Sequence, residues 1–295
     1  MNLRSVFWAC WVSCCLLVGS GAEESAYFEG LGAQVRVEEG EVTGLNFRKA
    51  GKLAPEVWQR IGALSGLRSL TVYGCQHSLD DTAAGELAKL KQLTTLSTEG
   101  AWLTDEGLAQ LAGMKSLQRA SFFHLSYRME EFTGAGFAAW RVLPDLKMLT
   151  VAGMSMGDEG FRAIAELQGL ESLRVWHTHR TEASNGEIAK LAHLKSLKLG
   201  QRLPRKGEPV CLSDASLPVL AGMESLEVLQ LSEGRFSLAG LRALQKARNL
   251  RSLEISQSEV TEETVAALRE VLEGVKVEFK PLTEKQKAQL ERYLR

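Results

Sequence analysis

The chain has 295 residues, of which 45% are hydrophobic, so it is long enough to bury a substantial core. Its 35 basic and 36 acidic residues nearly cancel, and no block of like charge forms an acidic or basic tail. This balance gives no indication of a nucleic-acid partner, and we predict none.

The first 22 residues have the pattern of a secretory signal peptide. Arg4 provides a positive charge, residues 6–19 form an apolar run of fourteen residues, and small residues follow at 20–22. We therefore predict a signal peptide over 1–22, cleavage before Glu23, and a mature domain over 23–295. The protein is expected to be exported to the periplasm, the cell surface or the medium.

Two alternatives for this segment keep the chain on a membrane. An uncleaved anchor is disfavoured because fourteen residues fall short of the roughly 18 that a spanning helix needs. A lipoprotein would be acylated at Cys14 or Cys15, but Trp11 stands where a small aliphatic residue is expected. We predict no stable membrane anchor after cleavage, and a monomeric chain.

One spacing of apolar residues, L-x-x-L-x-x-L-x-L, occurs eight times along the chain. The eight copies begin at Leu64, Leu90, Met114, Leu143, Leu167, Leu191, Met223 and Ala247. By subtraction, the intervals are 26, 24, 29, 24, 24, 32 and 24 residues. A period in this range predicts a solenoid, in which each unit buries its apolar edge against its neighbours.

The copy at 90–113 indicates what one unit contains. Alternation around Leu96 predicts a short strand, and Thr104 followed by two acidic residues predicts the start of a helix. Leu108 and Leu111 then form the buried stripe of that helix. Narrow strands inside and wider helices outside predict an α/β horseshoe with a parallel concave sheet and short convex helices.

These residues resemble the leucine-rich repeat family, in the class with the phrase L-x-x-L-x-x-L-x-L-x-x-T-x-I-T-D-x-G-L-x-x-L. The resemblance covers roughly residues 40–280 and is typical of exported bacterial proteins. It implies a solenoid fold and a role in protein–protein interaction. The family has no shared catalytic residues, so none is transferred to this chain.

The two ends of the array are expected to be caps, over about 23–63 and 271–295, because end units must cover an exposed apolar face. Residues 45–47 and 277–279 match the strand positions one period outside the array. Residues 33–37 are predicted to pair ahead of them through a turn at 39–40. Thr283 and Gln286 form a capping box that predicts a last helix ending near Tyr293.

Two cysteines remain in the mature chain, Cys75 and Cys211. They lie five repeats apart, which at about 4.8 Å per strand is roughly 24 Å and beyond the reach of a disulfide. The resemblance places Cys75 at the position that bonds the turn backbone, so we expect a buried thiol there. Cys211 aligns with Trp102, an outward position, and is expected to be accessible.

Two short motifs suggest chemistry that their context disfavours. Residues 153–157 match the G-x-S-x-G pattern around a hydrolase nucleophile, Ser155, but the repeat accounts for both glycines and no triad histidine can be assigned. His177 and His179 could present two imidazoles, but a zinc site needs further ligands. We predict no enzyme activity, no metal and no cofactor.

The concave face has the composition of a binding surface. Phe123, Ala152 and Trp176 align on three neighbouring repeats, and two repeats span about 10 Å. We therefore expect a notch with aromatic walls and a floor of Ala152 and Gly153. Exposed aromatic residues beside basic ones are typical of binding hot spots. The predicted binding residues are Tyr73, Arg119, Phe123, His124, Ala152, Arg174, Trp176, His177 and Lys198.

Two insertions, at 125–131 and 201–209, interrupt the repeat and flank the predicted notch. Such loops emerge on one rim of a solenoid and often contribute to binding, although surface loops also tolerate growth at little cost. We predict a non-enzymatic module that binds a protein partner through its concave face. The alternative is a carbohydrate or small ligand held in an aromatic notch of Phe123 and Trp176.

Overall fold

The computed structural model describes residues 21–201 and 211–288, which form a leucine-rich repeat solenoid of the predicted α/β class. Eleven strands of these residues make one sheet in chain order, antiparallel between the first two strands and parallel thereafter. The strands are β1 Gln34–Glu38, β2 Glu41–Phe47, β3 Ser69–Val72, β4 Thr95–Glu99, β5 Arg119–Phe123, β6 Met148–Ala152, β7 Ser172–Trp176, β8 Ser196–Leu199, β9 Val228–Ser232, β10 Ser252–Ser256 and β11 Lys276–Lys280.

Short helical segments connect the strands on the other side of the sheet, and several of these segments are 3-10 helices. The α-helices are α1 Gly21–Gly30, α2 Pro55–Gly62, α3 Asp81–Leu87, α4 Asp105–Gln110, α5 Asp158–Ala165, α6 Leu217–Ala221, α7 Leu238–Leu241 and α8 Glu262–Val271. The 3-10 segments are Leu111–Gly113, Ala135–Val142, Glu182–Lys190, Asp214–Ser216 and Arg242–Lys246. Among the residues described, no helix is both long and apolar enough to cross a membrane.

The predicted register holds along the sheet. One inward position of each strand from β2 to β11 carries a buried residue in line with the next: Leu45, Leu70, Leu96, Ala120, Leu149, Leu173, Leu197, Leu229, Leu253 and Val277. A fully buried leucine contributes about 2 kcal/mol of transfer free energy, so this column alone is a large part of the core.

Neighbouring repeats are also joined through the Thr-Asp pair of the repeat phrase. The Thr104 hydroxyl accepts from the Gly107 amide and so caps α4, while its own amide and hydroxyl donate to the Asp81 carboxylate of the preceding repeat, at 2.9 and 2.6 Å. A Cβ atom at Gly107 would overlap with that carboxylate, which explains the glycine in the phrase. Thr133, Thr181 and Ser237 bond Asp105, Asp158 and Asp214 in the same way.

Both ends carry the predicted extra strands. Strands β1 and β2 form a hairpin through Glu39 and Gly40, whose φ angles of 51° and 81° are those of a tight hairpin turn. Helix α1 covers that end with a buried phenylalanine, Phe28, and the predicted cleavage point falls in its first turn. The rest of the predicted signal peptide lies outside the described residues, and cleavage stays a prediction.

At the other end, β11 extends the parallel sheet, and the capping box forms as predicted. The Thr283 hydroxyl accepts from the Gln286 amide at 3.3 Å, and the Gln286 side chain accepts from the Thr283 amide at 2.9 Å. Residues 284–288 are helical. The predicted end of this helix near Tyr293 lies outside the described residues.

The two cysteines differ in how well their positions were predicted. Cys75 is buried, as expected, and its thiol donates to the Glu99 carbonyl at 3.1 Å. Burial raises the pKa of the Cys75 thiol, which opposes reactivity. The expectation of an accessible Cys211 is wrong, because this residue is fully buried. Cys211 lies two residues after the second insertion, and its backbone forms hydrogen bonds with the side chains of Gln201 and Asn185.

Candidate functional site

The sheet places most of the predicted binding residues on one part of its concave face. Phe123, Ala152 and Trp176 are direct neighbours in register on β5, β6 and β7, and Arg174 is paired with Lys198 on β8. Arg119 is the exception. It lies four residues before Phe123, at the opposite end of β5, which places it about 13 Å away along the strand.

Three aromatic side chains form a continuous line that we call the aromatic ridge: Tyr73, Phe123 and Trp176. The Tyr73 and Phe123 ring centroids are 6.1 Å apart, and those of Phe123 and Trp176 are 6.3 Å apart, both with edge-to-face geometry. The Tyr73 hydroxyl lies 2.8 Å from the Ser97 hydroxyl. All three rings are half-buried, so the ridge is packed below and open to solvent above.

The ridge takes the place of the notch that the sequence predicts. Phe123 and Trp176 stand two strands apart, but their rings lean together over Ala152, which is 4% exposed. The other predicted floor residue, Gly153, is covered by the imidazole of His124, since a Cβ atom there would lie 2.6 Å from His124 Cδ2. An open notch is therefore wrong; the same residues present a continuous aromatic surface.

Two cations flank the Trp176 end of the ridge. Lys198 Nζ lies 4.7 Å from the Trp176 ring centroid, and the Arg174 guanidinium carbon lies 5.8 Å from it. Both distances fall in the range of cation–π attraction. The pKa of Lys198 is lowered, first by burial of the ammonium group and then by the positive charge of Arg174. The two basic residues thus share one small region with an indole ring.

The residues that directly follow Phe123, Ala152 and Trp176 adopt a left-handed backbone. His124 and His177 both have φ of 52° there, and Gly153 has φ of 67°. Left-handed backbone costs a side-chain-bearing residue about 1–2 kcal/mol. His124 Nδ1 lies 3.4 Å from the Glu99 carboxylate. The two histidines thus extend the ridge toward the rim on which the insertions begin.

His177 belongs to a buried polar cluster that the sequence did not predict. Its Nε2 lies 2.9 and 3.1 Å from the two oxygens of Glu233, a carboxylate that is 6% exposed. Glu233 lies two strands further along the solenoid than His177, and no sequence motif links these two residues. In the structure the two residues share a left-handed backbone, with φ of 52° at His177 and 60° at Glu233, but residue type alone does not signal this.

Beside this cluster, Arg180 fixes the base of the second insertion. Its guanidinium is fully buried and donates to the carbonyl oxygens of Gly200, at 2.8 Å, and Cys211, at 3.5 Å, which flank the insertion. Asn185 bonds both the Arg180 guanidinium and the Cys211 carbonyl. We call Arg180 and Asn185 the loop clamp. Residues 202–210 themselves lie outside the described residues.

The first insertion is also fixed where it begins. The Ser126 hydroxyl is fully buried, accepts from the Leu103 amide at 3.0 Å and lies 2.5 Å from the Leu103 carbonyl. The Arg128 amide donates to the Ser155 hydroxyl at 3.1 Å. Tyr127, between these anchors, is 37% exposed, and its ring centroid lies 6.2 Å from that of His124. This insertion therefore adds one exposed aromatic residue next to the ridge.

The G-x-S-x-G segment has a structural role. Ser155 is buried and holds the first insertion through the Arg128 amide, and Gly157 is the N-cap residue of α5. Within residues 21–201 and 211–288, no group of three or more His, Cys, Asp or Glu side chains could hold a metal ion.

No family model matches this chain, and no curated protein matches it. Among solved structures it is similar to an internalin, inlF, from Listeria monocytogenes, at 16% identity. That alignment covers 91% of each chain, with a TM-score of 0.41. The repeat architecture is shown by the strand order and register of this chain's own sheet.

Proposed function

We propose that this chain is an exported, non-enzymatic binding module that recognises a protein partner through the aromatic ridge and its flanking cations. The observation that carries the proposal is the contact of Tyr73, Phe123 and Trp176 across five strands, with Lys198 and Arg174 beside the last ring. Trp, Tyr and Arg are the residues most enriched in binding hot spots.

Rigidity supports the same role. The ridge residues stand on or directly beside strands of a continuous sheet, and their rings are held by one another. A surface that is already ordered loses little side-chain entropy when a partner binds. The hydrogen bond from the Arg128 amide to Ser155 favours a structural role for this serine rather than a catalytic one.

A carbohydrate or small ligand is the second candidate. A sugar ring binds best on an open aromatic face, but Lys198 and Arg174 lie over the Trp176 ring, and the space between Phe123 and Trp176 is filled. A continuous aromatic ridge edged by cations favours the broader contact of a protein surface. The carbohydrate reading predicts that binding depends almost wholly on the two rings.

The test is capture of a partner from the extracellular or envelope fraction of the source cells, with the mature chain and a Phe123→Ala/Trp176→Ala variant as bait. A Trp102→Ala variant is the matched control, because Trp102 is a half-exposed aromatic residue on the connecting turn. Thermal unfolding is measured first, to establish that the three proteins have similar stability. Each captured protein is then purified and titrated against all three baits.

We expect one partner whose affinity falls about 30-fold or more in the double variant, as for two hot-spot residues, and stays unchanged in the Trp102 variant. Equal affinity for wild type and double variant would refute the ridge as the binding surface. Absence of any protein partner, together with binding of a soluble glycan that the double variant loses, would favour the carbohydrate alternative.

A further inference from the structure

Among the described residues, the two cations beside Trp176 have no carboxylate partner, unlike other cations on this sheet. Of the residues that the structure describes, none offers a carboxylate within the 4.0 Å ion-pairing distance of Arg174 or Lys198. On the same sheet, Lys280 lies 2.8 Å from Glu254. At the start of the strands, Lys195 lies 2.9 Å from Glu171.

The carboxylates that act on Lys198 at longer range are already occupied. Glu254 and Glu233 both favour its charged form, but Glu254 is bonded by Lys280 and Gln230, and Glu233 by His177. Even with their influence the pKa of Lys198 stays lowered, because burial and the neighbouring guanidinium outweigh it. Two like charges are therefore held side by side, which costs free energy that an arriving negative charge would relieve.

The apolar part of the surface lies on one side of these cations only. From Lys198 on β8, the ridge extends back through Trp176 on β7 to Phe123 on β5. Three strand spacings separate β8 from β5, or about 14 Å, which an extended peptide covers in about four residues. On the other side, the next two strand positions carry polar residues, the neutral Gln230 and then Glu254 in its ion pair with Lys280.

We propose that Arg174 and Lys198 bind the side-chain carboxylates of an acidic peptide segment in the protein partner, which places an apolar side chain about four residues away on Phe123. This inference rests on the function proposed above and adds the chemistry of the partner. Charge complementarity places the acidic residues of the segment at Arg174 and Lys198. The distance from these cations to Phe123 gives the spacing of about four residues between the acidic and apolar side chains. An Arg guanidinium binds a carboxylate in two-pronged fashion, while the lysine adds a point charge.

The probe is a fluorescein-labelled ten-residue peptide, blocked at both ends, with two glutamates separated by one residue and a leucine four residues after the second glutamate, so that all three side chains share one face of an extended peptide. Its partner probe has glutamines in place of the glutamates. Binding to the mature chain is followed by fluorescence anisotropy at 50 and 300 mM salt. We expect the glutamate peptide to bind about tenfold more tightly at low salt, as one charge-assisted contact provides, and the preference to shrink at high salt.

Variants assign the preference to its residues. Arg174→Gln and Lys198→Gln should each remove most of the preference for glutamate without changing the affinity for the glutamine peptide. Lys246→Gln is the matched control, because Lys246 is an exposed lysine in a convex 3-10 segment. It should leave both affinities unchanged, since it changes the net charge by the same amount away from the ridge.

Three results would overturn the inference: equal binding of the two peptides, binding of neither, or an unchanged preference in both glutamine variants. Blocked glutamate alone, binding as tightly as the peptide, would indicate a small-anion site instead. The two proposals fail separately. If the captured partner loses affinity for the Phe123→Ala/Trp176→Ala bait but not for an Arg174→Gln/Lys198→Gln bait, the ridge is confirmed and the acidic segment is wrong.

Discussion

Asp158→Ala tests whether the hydrogen bonds between the Thr and Asp of successive repeats, which we call the Thr-Asp ladder, hold neighbouring repeats together. Asp158 opens α5, and its carboxylate accepts from the Thr181 amide at 2.7 Å and from the Thr181 hydroxyl at 2.8 Å. These bonds join the repeat of Ala152 to the repeat of Trp176. Removing the carboxylate leaves a half-buried amide and hydroxyl that must find water instead.

The expected cost follows from the number and exposure of these bonds. A hydrogen bond to a charged group contributes about 1.5–3 kcal/mol when buried, so two half-exposed bonds contribute about 2 kcal/mol together. Loss of an acid from the first turn of a helix adds about 0.5 kcal/mol. The control is Glu159→Ala, because Glu159 is the next acid in the same turn, is exposed and should lose only the second contribution.

The assay is urea unfolding of the mature chain followed by far-ultraviolet circular dichroism, with the slope against urea compared among the three proteins. We expect Asp158→Ala to lower the free energy of unfolding by about 2.5 kcal/mol and Glu159→Ala by about 0.5 kcal/mol, at unchanged slope. A difference between the two variants of less than about 0.5 kcal/mol would show that the ladder bonds merely replace water and do not couple the repeats.

Three further predictions concern the site itself. Gly153→Ala should destabilise more than Gly74→Ala, by about 1 kcal/mol in thermal unfolding, because both have φ of 67° but only Gly153 lies beneath an imidazole ring. Arg180→Met should speed proteolysis within the second insertion at least about threefold, since the loop clamp then loses its bonds to both flanking carbonyls; equal rates would refute the clamp. Lys198→Met should be at least as stable as wild type at neutral pH, and its advantage should shrink as pH rises through the lowered pKa of Lys198, where the wild-type ammonium loses its proton more readily than in the unfolded chain. A variant that is less stable at neutral pH and gains on wild type above it would contradict this sign.

The sequence predicted the backbone of this solenoid well because the repeat constrains it directly. Leu70, Leu96 and Leu173 recur at a spacing that only stacked strands can bury, so the strand order and register followed from counting residues. The phrase around Thr104 also predicted the helix cap. Its second role, the bonds to Asp81, was not predicted because it depends on the contact between two repeats rather than on the pattern within one.

The site was predicted less completely, for reasons that lie in the side chains. Alignment placed Phe123 and Trp176 on the correct strands, but their χ angles decide whether the rings stand apart or meet, and spacing does not fix χ angles. Cys211 was misplaced because the alignment was carried across an insertion, where the regular turn geometry no longer applies. Arg180 was missed because a buried guanidinium bonded to carbonyl oxygens has no sequence pattern.

The proposed binding surface lies between the two insertions. The first insertion begins after His124 and is fixed by Ser126, and the second begins after Gly200 and is fixed by Arg180. Between them, the strands that carry Ala152 and Trp176 are joined by Asp158 and Thr181. A partner that contacts the ridge thus meets a surface that is held at both flanks and tied across its centre. Because such a surface loses little entropy on binding, even the modest area of three half-buried rings and two cations can support specific recognition.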